Sequence, residues 1–459
     1  MKNENAKRWD RYLSDRRIGL KDPDPDFRSN FQRDFDRIIF CSSFRRMQDK
    51  TQVFPLARND YVRTRLTHSL EVASIGRSLG YRVGQTLKNK YSWSEKRMYH
   101  LGEVVAAACL AHDIGNPPFG HSGEDTISHW FAIEENYAKY MQSLSENQRE
   151  EFLKYEGNAQ GFRVITRLQC IDLANRRQGG LQLTYATLGA FLKYPRLAFL
   201  PEADLSRVSQ KKYNFFEAEQ ELFMDVVNEL GLVEVIPGKA YARHPLCFLV
   251  EAADDISYTI ADFMDGYRLG YASYETTRDF FLALLDDGKE RYEAEIKNLS
   301  DPKDRIEYLG GKAVGALVRQ VAATFLENEA ALLRGEYDQS LTRSIPSHEI
   351  VEEMTSFAHA NIYSCSDVVK LKVAGFDVIH KLMETFVPAV CFEEPKGHYD
   401  WDRVRLILKL IPDQFLGEKG KPDSCHYTRL RKVVDFISGM TDSYAVHVYQ
   451  QLSGVNLIL

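Results

Sequence analysis

Apolar positions recur at helical spacing along most of the chain. Phe31, Phe35 and Ile38, then His68, Val72, Ile75 and Leu79, then Leu101, Val105, Ala108 and His112 follow one another at steps of three or four residues, so each set shares one helix face. The same periodicity predicts helices over 314–335, 366–386 and 427–439, with Val369, Phe376, Ile379, Leu382 and Phe386 as one apolar face. The helix around Phe31 is expected to run on through Gln48. Thr51 to Phe54 and Tyr61 to Arg65 are β-prone runs around Pro55 and Asn59-Asp60, which predicts one small hairpin. Residues 125–151 are weakly patterned and read as a variable insertion, and 156–168 resumes an amphipathic helix. With no repeat and no low-complexity linker, residues 1–459 read as a single large all-α domain with one small β-hairpin, and 266–459 as a helical scaffold or oligomer-contact region.

Composition narrows the class. At 459 residues, 44% hydrophobic and 27% charged, the chain can bury a large core and is not a disordered protein. A net charge of -6 argues against a general nucleic-acid binder. Seven cysteines, odd in number and without a Cys-x-x-Cys pair, suit a reducing cytoplasm. The charged N-terminus lacks an apolar signal region, and no apolar run approaches the roughly 20 residues of a membrane span. A cytoplasmic protein with no membrane partner is expected.

The apolar faces carry unexpected polar residues. An apolar run, Val104 to Leu110, delivers His112-Asp113 into a Gly/Pro-rich break, beyond which His121 and Glu124 open the next segment. Imidazole and carboxylate together suit a divalent metal such as Mn or Mg, although a lone His-Asp doublet is more often a core His and a capping Asp. His68 shares the inward face of its own helix, which Thr67 or Ser69 can cap. Trp93-Ser-Glu opens the helix that carries the doublet. Val250, Asp254, Tyr258 and Asp262 lie four apart and stack on one face, and a carboxylate on such a face is costly unless it is paired or metal-bound. Asp254 is therefore the expected further ligand. Asp255 lies about 100° around the helix and is the weaker choice. Arg45, Arg46, Lys50, Arg63 and Arg65 form either a solvated surface or an anion pocket, and Lys211 to Glu217 adds a basic-aromatic patch.

His68, His112-Asp113 and a distant Asp254, all on helices, resemble the HD superfamily of metal-dependent phosphohydrolases. Five longer words narrow this to a resemblance to the deoxyguanosine triphosphate triphosphohydrolase family: Phe44-Arg-Arg-Met-Gln-Asp-Lys-Thr-Gln52, Arg63-Thr-Arg-Leu-Thr-His-Ser-Leu-Glu-Val72, His112-Asp-Ile-Gly-Asn-Pro-Pro-Phe-Gly-His121, Glu156-Gly-Asn-Ala-Gln160 and Glu251-Ala-Ala-Asp-Asp-Ile-Ser-Tyr258. The likeness runs from about Arg37 to about Asp265 and implies an HD core over about 60–265. It implies hydrolysis of a deoxynucleoside triphosphate at the α-phosphorus to deoxynucleoside and inorganic triphosphate. It also implies a divalent metal on His68, His112, Asp113 and Asp254, and a catalytic pair His121 and Glu124 in which Glu124 orients His121. Gln52, Arg65, Tyr258 and Asp262 match residues that hold the sugar and α-phosphate, with Tyr258 excluding a 2′-hydroxyl. Lys212 and Tyr213 match a triphosphate-binding segment more loosely. Asn116 stands where some relatives of the wider superfamily carry a His. A homo-oligomer, commonly a hexamer, and a nucleotide or single-stranded DNA effector are further implications.

Two other readings make different predictions. Another HD phosphohydrolase, a nucleotidase or phosphodiesterase, would release orthophosphate or act on a monophosphate or nucleic-acid end, and the cations around Gln52 favour a polyphosphate instead. A nucleic-acid-binding regulator with a vestigial site would show salt-dependent DNA binding without turnover, and would have no need of all six metal and catalytic residues.

Overall fold

The computed structural model describes residues 2–19, 27–53, 62–169, 179–285, 288–392, 398–417 and 420–455. Helices dominate it, and the two-stranded antiparallel sheet, Glu234–Ile236 with Ala240–Tyr241, is small and irregular in register. Three helices frame the site. Arg65–Tyr91 and Glu95–Ala111 form a helical hairpin turned at Ser92, which takes the left-handed conformation with φ of 58°. Their backbones touch, because a Cβ on Gly80 would lie 2.6 Å from the Gly102 Cα. Cys247–Arg268 packs across both.

Local signals explain where these helices begin. Thr64 caps the first through a reciprocal capping box with Thr67, so the cap lies three residues before Thr67 and five before Ser69, the expected candidates, and Thr67 serves as its partner. Ser94 caps the second, as the Trp93-Ser-Glu signal suggests. The helix expected to continue through Gln48 breaks instead: Asn30–Ile39 ends at Phe40, and the Cys41 sulfur accepts from the Phe44 N–H to start Ser42–Arg46, followed by a 3-10 turn at Met47–Asp49. Of the hairpin expected at 51–65, the described residues contain an antiparallel Thr51–Thr64 bridge, while 54–61 lie outside them.

The interior falls into two hydrophobic clusters. The larger gathers residues from Trp9 to Val368. The second joins Phe119, Ile127, Trp130, Phe131 and Phe152 to Ile379, Leu382 and Phe386 of Ser366–Val390 and to Leu430 and Val433 of His426–Ser438. The weakly patterned stretch at 125–151 is thus packed core rather than an appendage. Val369 and Phe376, expected to point inward with Ile379, are 46% and 38% exposed, because the helix enters the second cluster only from Val378 onward. Among the described residues no helix is long and apolar enough to cross a membrane, and Cys41, Cys109, Cys247, Cys365, Cys391 and Cys425 are free thiols.

Candidate active site

His68 stands in the first turn of its helix, His112 caps the C-terminus of the next, and Asp254 projects from the middle of Cys247–Arg268. One ligand atom from each of the three lies within 4.8 Å of the others. The His68 Nε2 is 3.0 Å and the His112 Nε2 3.5 Å from the Asp254 Oδ1. His112 donates through Nδ1 to the Cys109 carbonyl at 2.7 Å, which fixes the tautomer and leaves Nε2 free to coordinate. Asp113 is just outside this trio, its Oδ2 3.6 Å from the His112 Nε2, and is held by Arg65 at 2.5 Å and by the Asn116 amide at 2.6 Å. Asp255 points elsewhere and accepts from Ser340 and Thr342.

The charges suit a cation. Burial alone would raise the Asp113 carboxyl, but Arg65 and His112 outweigh it and hold the group at about 2. Asp254 is also held well below its ordinary range, against burial, by His112 and His68. Burial disfavours the His112 cation, yet Asp113 and Asp254 lift it to about 9. The cluster therefore stabilises positive charge among its ligand atoms, which is what a divalent ion held by two imidazoles and carboxylates requires.

After Asp113 the chain turns through Pro117 and Pro118 to Phe119 and Gly120, both at positive φ (63° and 59°), before His121–Ala132 begins. A Cβ at Gly120 would sit 2.7 Å from an Arg65 nitrogen, so the loop lies directly on that guanidinium. His121 opens its helix at the cavity, and burial, Lys212 and Arg65 lower its pKa. Glu124 is buried and accepts from the Gly157 N–H at 2.9 Å, and among the described residues no hydrogen bond joins it to the His121 ring. Burial and the nearby Glu156 push Glu124 up to about 8.

A cavity of about 500 Å³ brings together Gln52, Arg65, Asp113, His121, Asp254, Tyr258 and Asp262. Gln52 lines it as well, and among the described residues its buried side-chain oxygen has no hydrogen-bond partner. Burial raises Asp262 to about 7, and the Tyr363 hydroxyl donates to it. A recess of about 160 Å³ shares Asp113, His121 and Asp254 and adds Asn158, Lys193, Tyr194 and Lys212, the last paired with Glu156 at 3.0 Å. Tyr213 does not reach either space: it is 3% exposed within the second cluster and donates to the Glu151 carbonyl at 3.1 Å. Of the expected Arg and Lys cluster, Arg65 alone lines the main cavity. Arg63 is committed to Asp265 and Glu71, and Lys50 to the carbonyls of Asn116 and Ser438. His359, Tyr363, Lys372, Lys193 and Tyr194 also line these spaces and escaped sequence reasoning. Lys193-Tyr194 carries the same basic-aromatic signal as Lys212-Tyr213 and could have been found by it. Tyr363 follows the helix His348–Asn361 and gives no local signal.

The HD domain matches residues 65–175, and the phosphohydrolase-associated domain matches residues 344–451. A deoxyguanosinetriphosphate triphosphohydrolase-like protein of Synechocystis is 41% identical over 98% of this chain and all of its own length. A protein of the same description from Pseudomonas aeruginosa is 36% identical over 97% of this chain and 98% of its own. The chain belongs to the deoxyguanosinetriphosphate triphosphohydrolase family. A Yersinia enterocolitica protein described as deoxyguanosinetriphosphate triphosphohydrolase, without the qualifier, is 30% identical over 92% of this chain and 93% of its own. The HD match contains His68, His112, Asp113, His121 and Glu124 and stops well before Asp254. The second match contains Tyr363 and Lys372, so both family segments reach the cavity.

Proposed function

We propose that the protein hydrolyses deoxynucleoside triphosphates, dGTP first among those to test, to deoxynucleoside and inorganic triphosphate. The observation that carries this reading is the cluster of His68, His112 and Asp254, whose Asp254 lines both a cavity that holds Arg65, Lys372, Gln52 and Asp262 and a recess that holds Lys193 and Lys212. His68, His112, Asp113 and Asp254 would hold a divalent ion, Mn, Mg or similar, which supplies polarisation of a phosphoryl oxygen. Arg65, which lines the cavity, and Lys212, which lines the recess, balance phosphate charge. Gln52 and Asp262 accept from sugar hydroxyls, and Tyr258 closes the wall at which a 2′-hydroxyl would clash. His121 moves a proton between the attacking water and the departing 5′-oxygen, with its ring kept neutral by burial and the neighbouring cations. Glu124 acts through the loop it anchors on Gly157. A homo-oligomer and a nucleotide or single-stranded DNA effector belong to the same reading, and sedimentation with and without nucleotide checks both.

The test is to incubate the protein with each deoxynucleoside triphosphate and Mn or Mg, alone and in mixtures, and to separate the products. Deoxynucleoside plus intact triphosphate is expected, with turnover lowered ~100-fold or more in His121→Ala and abolished in His112→Ala. No turnover of any of the four, singly or mixed, would overturn the reading.

A further inference from the structure

The loops that carry Gln52 and His121 are held from the far end of the chain. Asp442, 1% exposed at the start of Asp442–Leu452, accepts from the Thr51 N–H at 2.9 Å and from the Thr51 hydroxyl with one oxygen, and from the Phe119 N–H at 3.0 Å with the other. These donors lie one residue before Gln52 and two before His121. Thr51 is also bridged to Thr64, the cap of the His68 helix. Phe119 is the residue held at a φ of 63°, a conformation that persists in a bulky side chain only when its surroundings fix it. On its other side Phe119 is pinned by Gly375, where an added Cβ would lie 2.6 Å from the ring.

We propose that Asp442 is a positioning residue, a two-oxygen clamp by which the phosphohydrolase-associated segment sets the separation of Gln52 and His121 across the cavity. The role in turnover rests on the hydrolase reading above, whereas the clamp itself does not. Misplacement of a catalytic group by about 1 Å costs on the order of 100-fold in rate, so loosening this clamp acts on kcat. The ligands His68, His112 and Asp254 stand on other helices, so the clamp predicts little change in metal affinity.

The test compares Asp442→Asn, which keeps shape but turns one acceptor into a donor facing a donor, with Thr51→Val, which removes only the hydroxyl contact. Val448→Ala, in the second cluster and away from the cavity, serves as a stability control. Amide hydrogen exchange in the full chain is the readout that needs no turnover. Asp442→Asn should speed exchange over 116–122 and 51–53 by at least tenfold, with Thr51→Val intermediate, while 104–110 is unchanged. With a deoxynucleoside triphosphate, kcat should fall 10- to 100-fold in Asp442→Asn, and Mn affinity should stay within twofold of wild type. Val448→Ala should retain its kcat. In a His121→Ala background, Asp442→Asn should lower the residual rate by less than it lowers the wild-type rate. Unchanged exchange at 116–122 overturns the clamp. Faster exchange with an unaltered kcat, or with a loss that Val448→Ala matches, overturns the positioning role. If the wild-type protein turns over no nucleotide, it is the hydrolase reading that fails, and the exchange result still decides the clamp.

Discussion

The two adjacent carboxylates at 254 and 255 show how one helical step separates chemistry from structure. Asp254 faces two imidazoles and the cavity, whereas Asp255 accepts two hydroxyl bonds and is pushed up to about 6 by burial and Glu251. Helical phase alone favoured Asp254, since it stacks with Val250, Tyr258 and Asp262. Asp254→Ala should weaken Mn binding, measured by titration calorimetry, by at least ~100-fold, because removing a direct ligand exceeds the 10–100-fold typical of its supporting shell. Asp255→Asn keeps an acceptor for Ser340 and Thr342 and should leave Mn affinity within twofold. Equal losses in the two variants would contradict the assignment. The opposite lesson comes from Tyr213. Its neighbour Lys212 reaches the recess, but the tyrosine turns into the second cluster, because successive residues in a non-helical stretch point apart and only the tertiary packing decides which one faces the cavity.

At the level of elements, what repeats locally was legible. Glu95–Ala111 and Cys247–Arg268 follow from apolar spacing, the first with a clear Ser94 cap, and the polar exceptions to that spacing, His112 and Asp254, are two of the three residues that cluster. The break at Phe40–Cys41 was not legible, because a cysteine sulfur as cap has no strong sequence signature. Nor was Tyr363, which reaches Asp262 only through chain folding over about a hundred residues. Glu151 ties three segments: it accepts from the Glu217 N–H at 2.6 Å, from Asn147 at 3.1 Å and from the Tyr427 hydroxyl at 2.6 Å. Burial, only partly offset by Arg431, pushes its carboxyl up from 4.5 to about 8. The folded protein thus holds this proton to higher pH than the unfolded chain, so its contribution to stability is complete below about pH 4.5 and is lost as pH rises through about 8. Glu151→Gln lacks that titration. Its melting temperature should decline less than that of wild type between pH 5 and 9 in calorimetry, and an identical decline would show that Glu151 is ionised throughout.

Across the whole molecule, the C-terminal family segment lines the cavity as well as packing the second cluster. It contributes Tyr363 and Lys372 to the cavity and Ile379, Leu382, Phe386 and Leu430 to the cluster that covers Phe131 and Phe152. A chain ending at Arg343 should therefore bind a hydrophobic dye, lose its near-ultraviolet circular dichroism and show no turnover. Retention of a rigid, active protein would contradict the two-cluster description. The central claim is hydrolysis at the α-phosphorus by the His68, His112 and Asp254 site. The most direct measurement follows deoxynucleoside triphosphate turnover in ¹⁸O-enriched water by phosphorus NMR and mass spectrometry. The account predicts intact triphosphate carrying one ¹⁸O on a terminal phosphate, beside unlabelled deoxynucleoside, with no signal from Asp254→Ala. Orthophosphate or pyrophosphate as the initial product, or label in the 5′-hydroxyl, would contradict it.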